Sequence, residues 1–169
     1  MFEEFLGIPA HPLLIHAAVV FVPLLALTTV AYALVPFLRP HIRLVLAGLA
    51  VLGPGAAIMA RLSGDAFFER MRERGRVTDG FIPVIERHQG YGENTMWAAI
   101  ALGVVTLALV FFIAPSGAAL RYAGTAGGTG GTRAITLALT VVSLVAAAIA
   151  LYYVIRTGDS GSKAVWEGQ

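Results

Sequence analysis

The sequence has no cysteine, which excludes disulfides, thiolate metal sites, cysteine-ligated iron–sulfur clusters and covalent haem attachment. It is also poor in charge: Asp, Glu, Lys and Arg make up 13% of 169 residues, and the mean hydropathy is +0.78. So few charged groups cannot clothe a water-soluble domain of this size, and the chain reads as an integral membrane protein. A formal charge of +2 does not make it a nucleic-acid binder, because its arginines are scattered around apolar segments rather than gathered with aromatics on one face. No internal repeat is visible at the sequence level. No shift in composition divides the chain either, so it reads as one domain over residues 1–169. A basic leader is missing too: Met1 to Gly7 carries Glu3 and Glu4, and the apolar run that follows is too long for a signal-peptide core, so the first span is expected to persist as a mature helix.

What is present is a set of long apolar runs. From Ala17 to Leu38 there is no charged residue, enough chain to cross the roughly 30 Å hydrocarbon core as a helix. Four spans are expected, at about 13–36, 44–60, 96–114 and 134–155. The first carries Pro12, suited to an opening helical turn, and Pro23, where a bend is expected. The second is rich in Ala and Gly, which lets helix backbones approach closely, and Pro54 again suggests a kink. A polar connection over 61–94 follows. Within it Phe67, Phe68 and Met71 share one helical face, with Glu69/Arg72 and Arg70/Glu73 opposite, the pattern of a short helix lying at the membrane surface and ended by Gly75. Between spans three and four, Gly124 to Gly131 lacks the lysine and the strand-to-helix setting of a phosphate loop and reads as a flexible linker. The expected fold is all-α: an antiparallel four-helix membrane bundle with a short interfacial helix between spans two and three.

Counting spans brings the start of the chain, the long second connection and the end of the chain to one side of the membrane. His11, His16, Ser63, Asp65, His88, Asn94, Arg156 and Asp159 then gather at one end of the bundle, while His41 falls at the other. A histidine in an apolar span is costly in lipid, so it should face the bundle interior. His11 and His16 are five residues apart and diverge by about 140° on a helix, which makes them poor joint ligands. The expected pairing is His16 with His88, because His88, Gly92, Thr95 and Ala99 share a face leading into span three, and Gly90 and Gly92 leave room for a flat cofactor or another backbone. His11 is the further candidate, at the helix cap. Each residue also has a plain structural reading. His16 can bond Asp159, Ser63 or a backbone carbonyl as interior glue, and Asp159 can simply pair with Arg156 or Lys163.

The opening His11-Pro12-Leu13-Leu14-Ile15-His16, the histidine ahead of span three (His88) and the element Thr157-Gly158-Asp159-Ser160-Gly161-Ser162-Lys163-Ala164-Val165-Trp166 occur in this order over nearly the whole chain. In these the chain resembles the bacterial membrane family catalogued as domain of unknown function 2231, small four-helix proteins opening with His-Pro-x-x-x-His. Many of that family carry histidine where this chain has Asp159. Some are joined to Rieske-type or cytochrome modules, and the resemblance implies proximity to electron transfer, with haem b as a possible cofactor.

Three functions stand side by side. One is a redox-associated membrane subunit or electron carrier with haem b held by His16 and His88, with His11 nearby. Another is a divalent-metal site of His16, His88 and Asp159 or Asp65, whose nitrogen and oxygen ligands suit zinc or iron. The third is a non-catalytic scaffold or partner subunit whose polar cluster serves its own folding. No catalytic constellation is found, and the chain is not read as an enzyme. Partners are the lipid bilayer and either a redox membrane protein or further copies of the chain. The expected location is the inner (plasma) membrane, multi-pass. Eight Lys/Arg lie on the histidine side (Arg61, Arg70, Arg72, Arg74, Arg76, Arg87, Arg156 and Lys163) against four on the other, which places both termini in the cytoplasm.

Overall fold

The computed structural model describes residues 4–5, 8–113 and 130–166, with side chains over 10–113 and 134–166. Four long helices make up nearly all of this: α1 (Ala10–Leu34), α2 (Arg39–Glu73), α3 (Ile82–Phe112) and α4 (Gly130–Trp166). Ahead of them a minimal antiparallel pairing joins β1 (Glu4–Phe5) to β2 (Ile8–Pro9). The all-α expectation holds. Each of the four helices is long and apolar enough to cross a membrane. At about 1.5 Å per residue even α1, with 25 residues, exceeds the roughly 30 Å hydrocarbon core. Most of the expected linker at Gly124–Gly131 lies outside the described residues.

Contacts between the helices fix their directions. His11 meets Ala60 and Ser63, whereas Leu25, further along α1, meets Gly53 of α2. Gly103 of α3 lies against Ala50, and Gly92 nearest Arg61. Thr95 bonds Thr157, and His88 bonds Ser160 of α4. Adjacent helices therefore run in opposite directions, and α1 and α3 are parallel and diagonal. The turn from α1 to α2 is tight because Arg39 donates from Nε to the Tyr32 carbonyl and from Nη2 to the Ala33 carbonyl, both at 2.9 Å, satisfying the last acceptors of α1.

The expected separate interfacial helix is absent. α2 runs unbroken for 35 residues through Ser63 and Gly64 to Glu73. The amphipathic signal over 66–74 is real, but its apolar face, Phe67, Phe68 and Met71, lines a cavity inside the bundle end. Gly75 does end the helix, at φ +61, with Arg76 donating back to the Met71 carbonyl at 2.9 Å. Residues 82–95, in the expected polar connection, are likewise helical and continuous with span three in α3.

Leucines, Tyr32 and alanines with a few threonines form the interior, while Leu27, Leu44, Val51, Phe111 and Leu137 point outward where lipid lies. Pro54 cannot donate to the Ala50 carbonyl, and Gly103 fills that place. A methyl on Gly103 would sit 2.6 Å from the Ala50 oxygen and 2.8 Å from the Pro54 ring. Gly103→Ala is therefore expected to lower stability by about 1–3 kcal/mol. Unfolding in mixed detergent micelles measures this, and an unchanged midpoint would contradict the tight α2–α3 approach.

A repeat invisible in residue identity emerges in the pattern of burial. Thr29 and Thr106, hydrogen-bonded at 2.9 Å, are 77 positions apart. The same shift carries Ala18, Val22, Leu25, Ala26, Thr29, Tyr32 and Ala33 of α1 onto Thr95, Ala99, Leu102, Gly103, Thr106, Leu109 and Val110 of α3, and all fourteen are buried. A second constant shift takes Leu46, Ala50, Gly53, Ala57 and Ser63 of α2 to Ser143, Ala147, Ala150, Val154 and Ser160 of α4, all buried. Hairpin α1–α2 and hairpin α3–α4 are thus two copies of one design. A residue that touches its own counterpart lies on the symmetry axis, so Thr29/Thr106 marks an approximate two-fold axis along the bundle.

Candidate functional site

The same 77-residue shift that relates the threonines relates His11 to His88, and the two imidazoles meet near the axis with ring centres 6.4 Å apart and planes at 75°. His11 stands in the first turn of α1. Its Nδ1–H donates to the Ala60 carbonyl at 3.2 Å and to Ser63 Oγ at 3.1 Å. A carbonyl only accepts, so this nitrogen carries the proton. Ser63 in turn donates to the Ala60 carbonyl at 2.9 Å. The His11 ring also stacks on Phe67, 6.0 Å away at 21°.

His88 repeats the arrangement on the other hairpin. Ser160 donates its hydroxyl proton to the Thr157 carbonyl at 3.0 Å, leaving Oγ to accept from His88 Nδ1–H at 3.0 Å. Each ring also packs on a glycine. A Cβ on Gly64 would lie 3.1 Å from His11 Cε1, and one on Gly161 would lie 2.9 Å from His88 Cε1.

Both histidines line a partly open cavity of about 680 Å³ to which all four helices contribute, within the range of about 300–1,000 Å³ usual for ligand pockets. Its walls are mostly apolar, with Ile15 and Ala18 from α1, Phe67, Phe68 and Met71 from α2, Ile85 from α3, and Val154 and Ala164 from α4. Polar groups are few and come from α2, α3 and α4. Arg61 is ion-paired with Asp65, and Gln89 donates to that same carboxylate at 3.2 Å. Deeper in, Thr95 and Thr157 share a hydrogen bond of 2.7 Å, and beside them Arg156 donates to Tyr91 Oη at 2.7 Å while its guanidinium lies 4.9 Å from that ring.

The structure does not bring His16 to His88. His16 is exposed, donates back to the Pro12 carbonyl of its own helix and does not line the cavity. The inward stripe of α1 runs through His11, Ile15, Ala18 and Val22, at spacings of four, three and four, and the five-residue step throws His16 off it. Asp159 is also exposed, pairing with Lys163 at 3.1 Å as its plain reading held. Among the described residues no group of three or more His, Asp or Glu is placed to hold a metal ion, so His16, His88 and Asp159 are not brought together. The expected face of His88, Gly92, Thr95 and Ala99 does point inward, whereas Gly90 faces open space. Sequence reasoning passed over Ser160, Gly64 and Gly161. The buried stripe of α1, extended back from Thr29 through Leu25, Val22 and Ala18, would have led to residue 11 rather than 16.

Four membrane-length helices around a shared interior, closed at one end by an apolar cavity with paired histidines, define a small helical-bundle membrane protein. The chain belongs to the family described as "Predicted membrane protein (DUF2231)", which matches residues 7–169. No curated protein and no solved structure matches it.

Proposed function

We propose that this protein is a haem b carrier of the membrane, a redox-associated subunit in which His11 and His88 would hold the haem. The observation supporting this is the imidazole pair itself, presented by diagonally opposed helices into one largely apolar cavity with 6.4 Å between ring centres. That separation suits a single metal centre between the rings. Held by both histidines, such a group would suit electron transfer rather than chemistry on a bound substrate. Four-helix bundles hold such cofactors between side chains on facing helices.

The bound group supplies one-electron chemistry, and the chain supplies the setting. Ser63 and Ser160 hold the rings; Phe67, Phe68, Met71 and Ile85 give the cavity an apolar wall. Arg61, anchored by Asp65, is the cation available to an acidic substituent at the α2–α3 rim. His16 is replaced by His11 in this reading, and a divalent-metal site is set aside for want of a third ligand among the described residues.

The experiment is a dithionite-reduced minus oxidised spectrum of the full chain, purified from cells given ample haem. Sharp α and Soret bands are expected. Purified, folded protein with neither band contradicts the proposal and favours the second reading, in which the His–Ser contacts are structural glue for a scaffold subunit; both Nδ1 atoms being already hydrogen-bonded is the observation behind that alternative.

The same reading sets one domain in the plasma membrane, with both termini and the 74–81 connection in the cytoplasm, following the eight-to-four excess of Lys/Arg at the histidine end. A reporter fused after Gln169 checks the orientation, and periplasmic activity would reverse it. Redox membrane proteins or further copies of the chain are the partners this function needs.

A further inference from the structure

We infer that Ser63-Gly64 on α2 and Ser160-Gly161 on α4 are two copies of one positioning seat, which holds His11 and His88 as matched Nδ1–H tautomers so that two unprotonated Nε2 atoms serve a single acceptor on the approximate two-fold axis. This deepens the function proposed above and rests on it only for the identity of that acceptor.

The inference starts from the equivalence of the hairpins. One shift maps Ser63 and Gly64 onto Ser160 and Gly161, and the other maps His11 onto His88. The contacts repeat accordingly. In each hairpin the serine back-bonds to the carbonyl three residues earlier, at 2.9 Å for Ser63 and 3.0 Å for Ser160, which commits its own proton and leaves Oγ as an acceptor. In each, the imidazole Nδ1 lies 3.0–3.1 Å from that Oγ. The next residue is a glycine on which the ring rests, too close for a methyl group to be accommodated without movement. Serine sets which nitrogen carries the proton, and glycine sets how near the ring comes to the helix. With Nδ1 engaged by the helix, the neutral ring keeps its lone pair on Nε2, the atom free to ligate.

Both seats flank one shared cavity, and the rings they hold meet each other across it. The symmetry therefore predicts one acceptor per chain rather than one per histidine. Neither seat contains a charged group, so the pair delivers two neutral donors, as a centre that already carries its own balancing charge requires.

The test uses the full chain without haem, labelled with ¹⁵N-histidine, in lipid or detergent at pH about 8, above the ordinary imidazole pKa of about 6.5. Signals of His11 and His88 are assigned by their loss in His11→Gln and His88→Gln. Both are expected to show a protonated Nδ1 and a bare Nε2. Gly161→Ala, which places a methyl 2.9 Å from His88 Cε1, should abolish that signature at His88 and leave His11 as it was. Helix content should be unchanged, since alanine is the better helix former. Gly64→Ala should do the converse. Ser160→Ala removes the acceptor without adding volume and should weaken the His88 signature in the same direction, which keeps the test decisive if Gly161→Ala fails to fold. An Nε2–H tautomer at either histidine in the unaltered chain overturns the inference, as does a His88 signature indifferent to both α4 substitutions. Failure to take up haem with the tautomers as described refutes the proposed function alone. Haem uptake with Nε2–H tautomers refutes the seats alone.

Discussion

Haem-loaded His11→Ala and His88→Ala are each expected to lose the six-coordinate low-spin spectrum and become five-coordinate high-spin, while His16→Ala keeps the spectrum of the unaltered chain. Removing an outer partner of a metal-bound histidine typically costs about 10–100-fold in affinity. Removing the ligand itself should cost at least as much. The missing side chain leaves space in a cavity of about 680 Å³, so added imidazole should restore the low-spin spectrum in both variants. His16 serves as the internal control, being exposed and bonded only to its own helix. Optical and electron paramagnetic resonance spectra check all three. A change in His16→Ala equal to that in His11→Ala would show that the ligand on α1 has been misassigned.

The second large effect concerns the duplicated architecture. Leu25 and Leu102 are both fully buried and are counterparts under the 77-residue shift. Truncating either leaves a cavity at an equivalent place, so Leu25→Ala and Leu102→Ala should each cost about 2–5 kcal/mol and by similar amounts. Lipid is as apolar as leucine, so the loss comes from packing between helices rather than from exposure to water. Leu27, 60% exposed on the lipid face, gives the contrast: Leu27→Ala should cost under about 1 kcal/mol. Reversible unfolding in mixed micelles measures all three. A large cost at Leu102 beside a negligible one at Leu25 would contradict the equivalence of the hairpins.

How much of this was legible in the sequence depended on which physical signal a residue carried. The four helices were legible because hydropathy and length suffice for a membrane span, and the stop at Gly75 because a left-handed residue there needs glycine. The gathering of histidines at one end followed from counting spans. Which face of α1 points inward was harder, because lipid-facing and core-facing sides are both apolar and hydropathy hardly distinguishes them. Ala18, Ala26, Thr29 and Ala33 lie on the inner face, but Ala17, Thr28 and Ala31 beside them do not, so small residues alone did not mark it, and the conspicuous His16 drew the pairing away from His11. The apolar stripe of Phe67, Phe68 and Met71 was read correctly as amphipathic, but its counterpart was a cavity wall rather than the membrane surface. The duplication stayed hidden because most counterpart positions share burial rather than identity or size, as Leu46 and Ser143 or Tyr32 and Leu109 do.

A single titration bears most directly on the central claim that His11 and His88 form one axial site. Purified, haem-free full chain is titrated with hemin and followed at the Soret band. The account predicts saturation at one equivalent per chain, with a low-spin spectrum that is lost in the His11→Ala, His88→Ala double variant. A featureless, non-saturating response, or one that survives in the double variant, would contradict it.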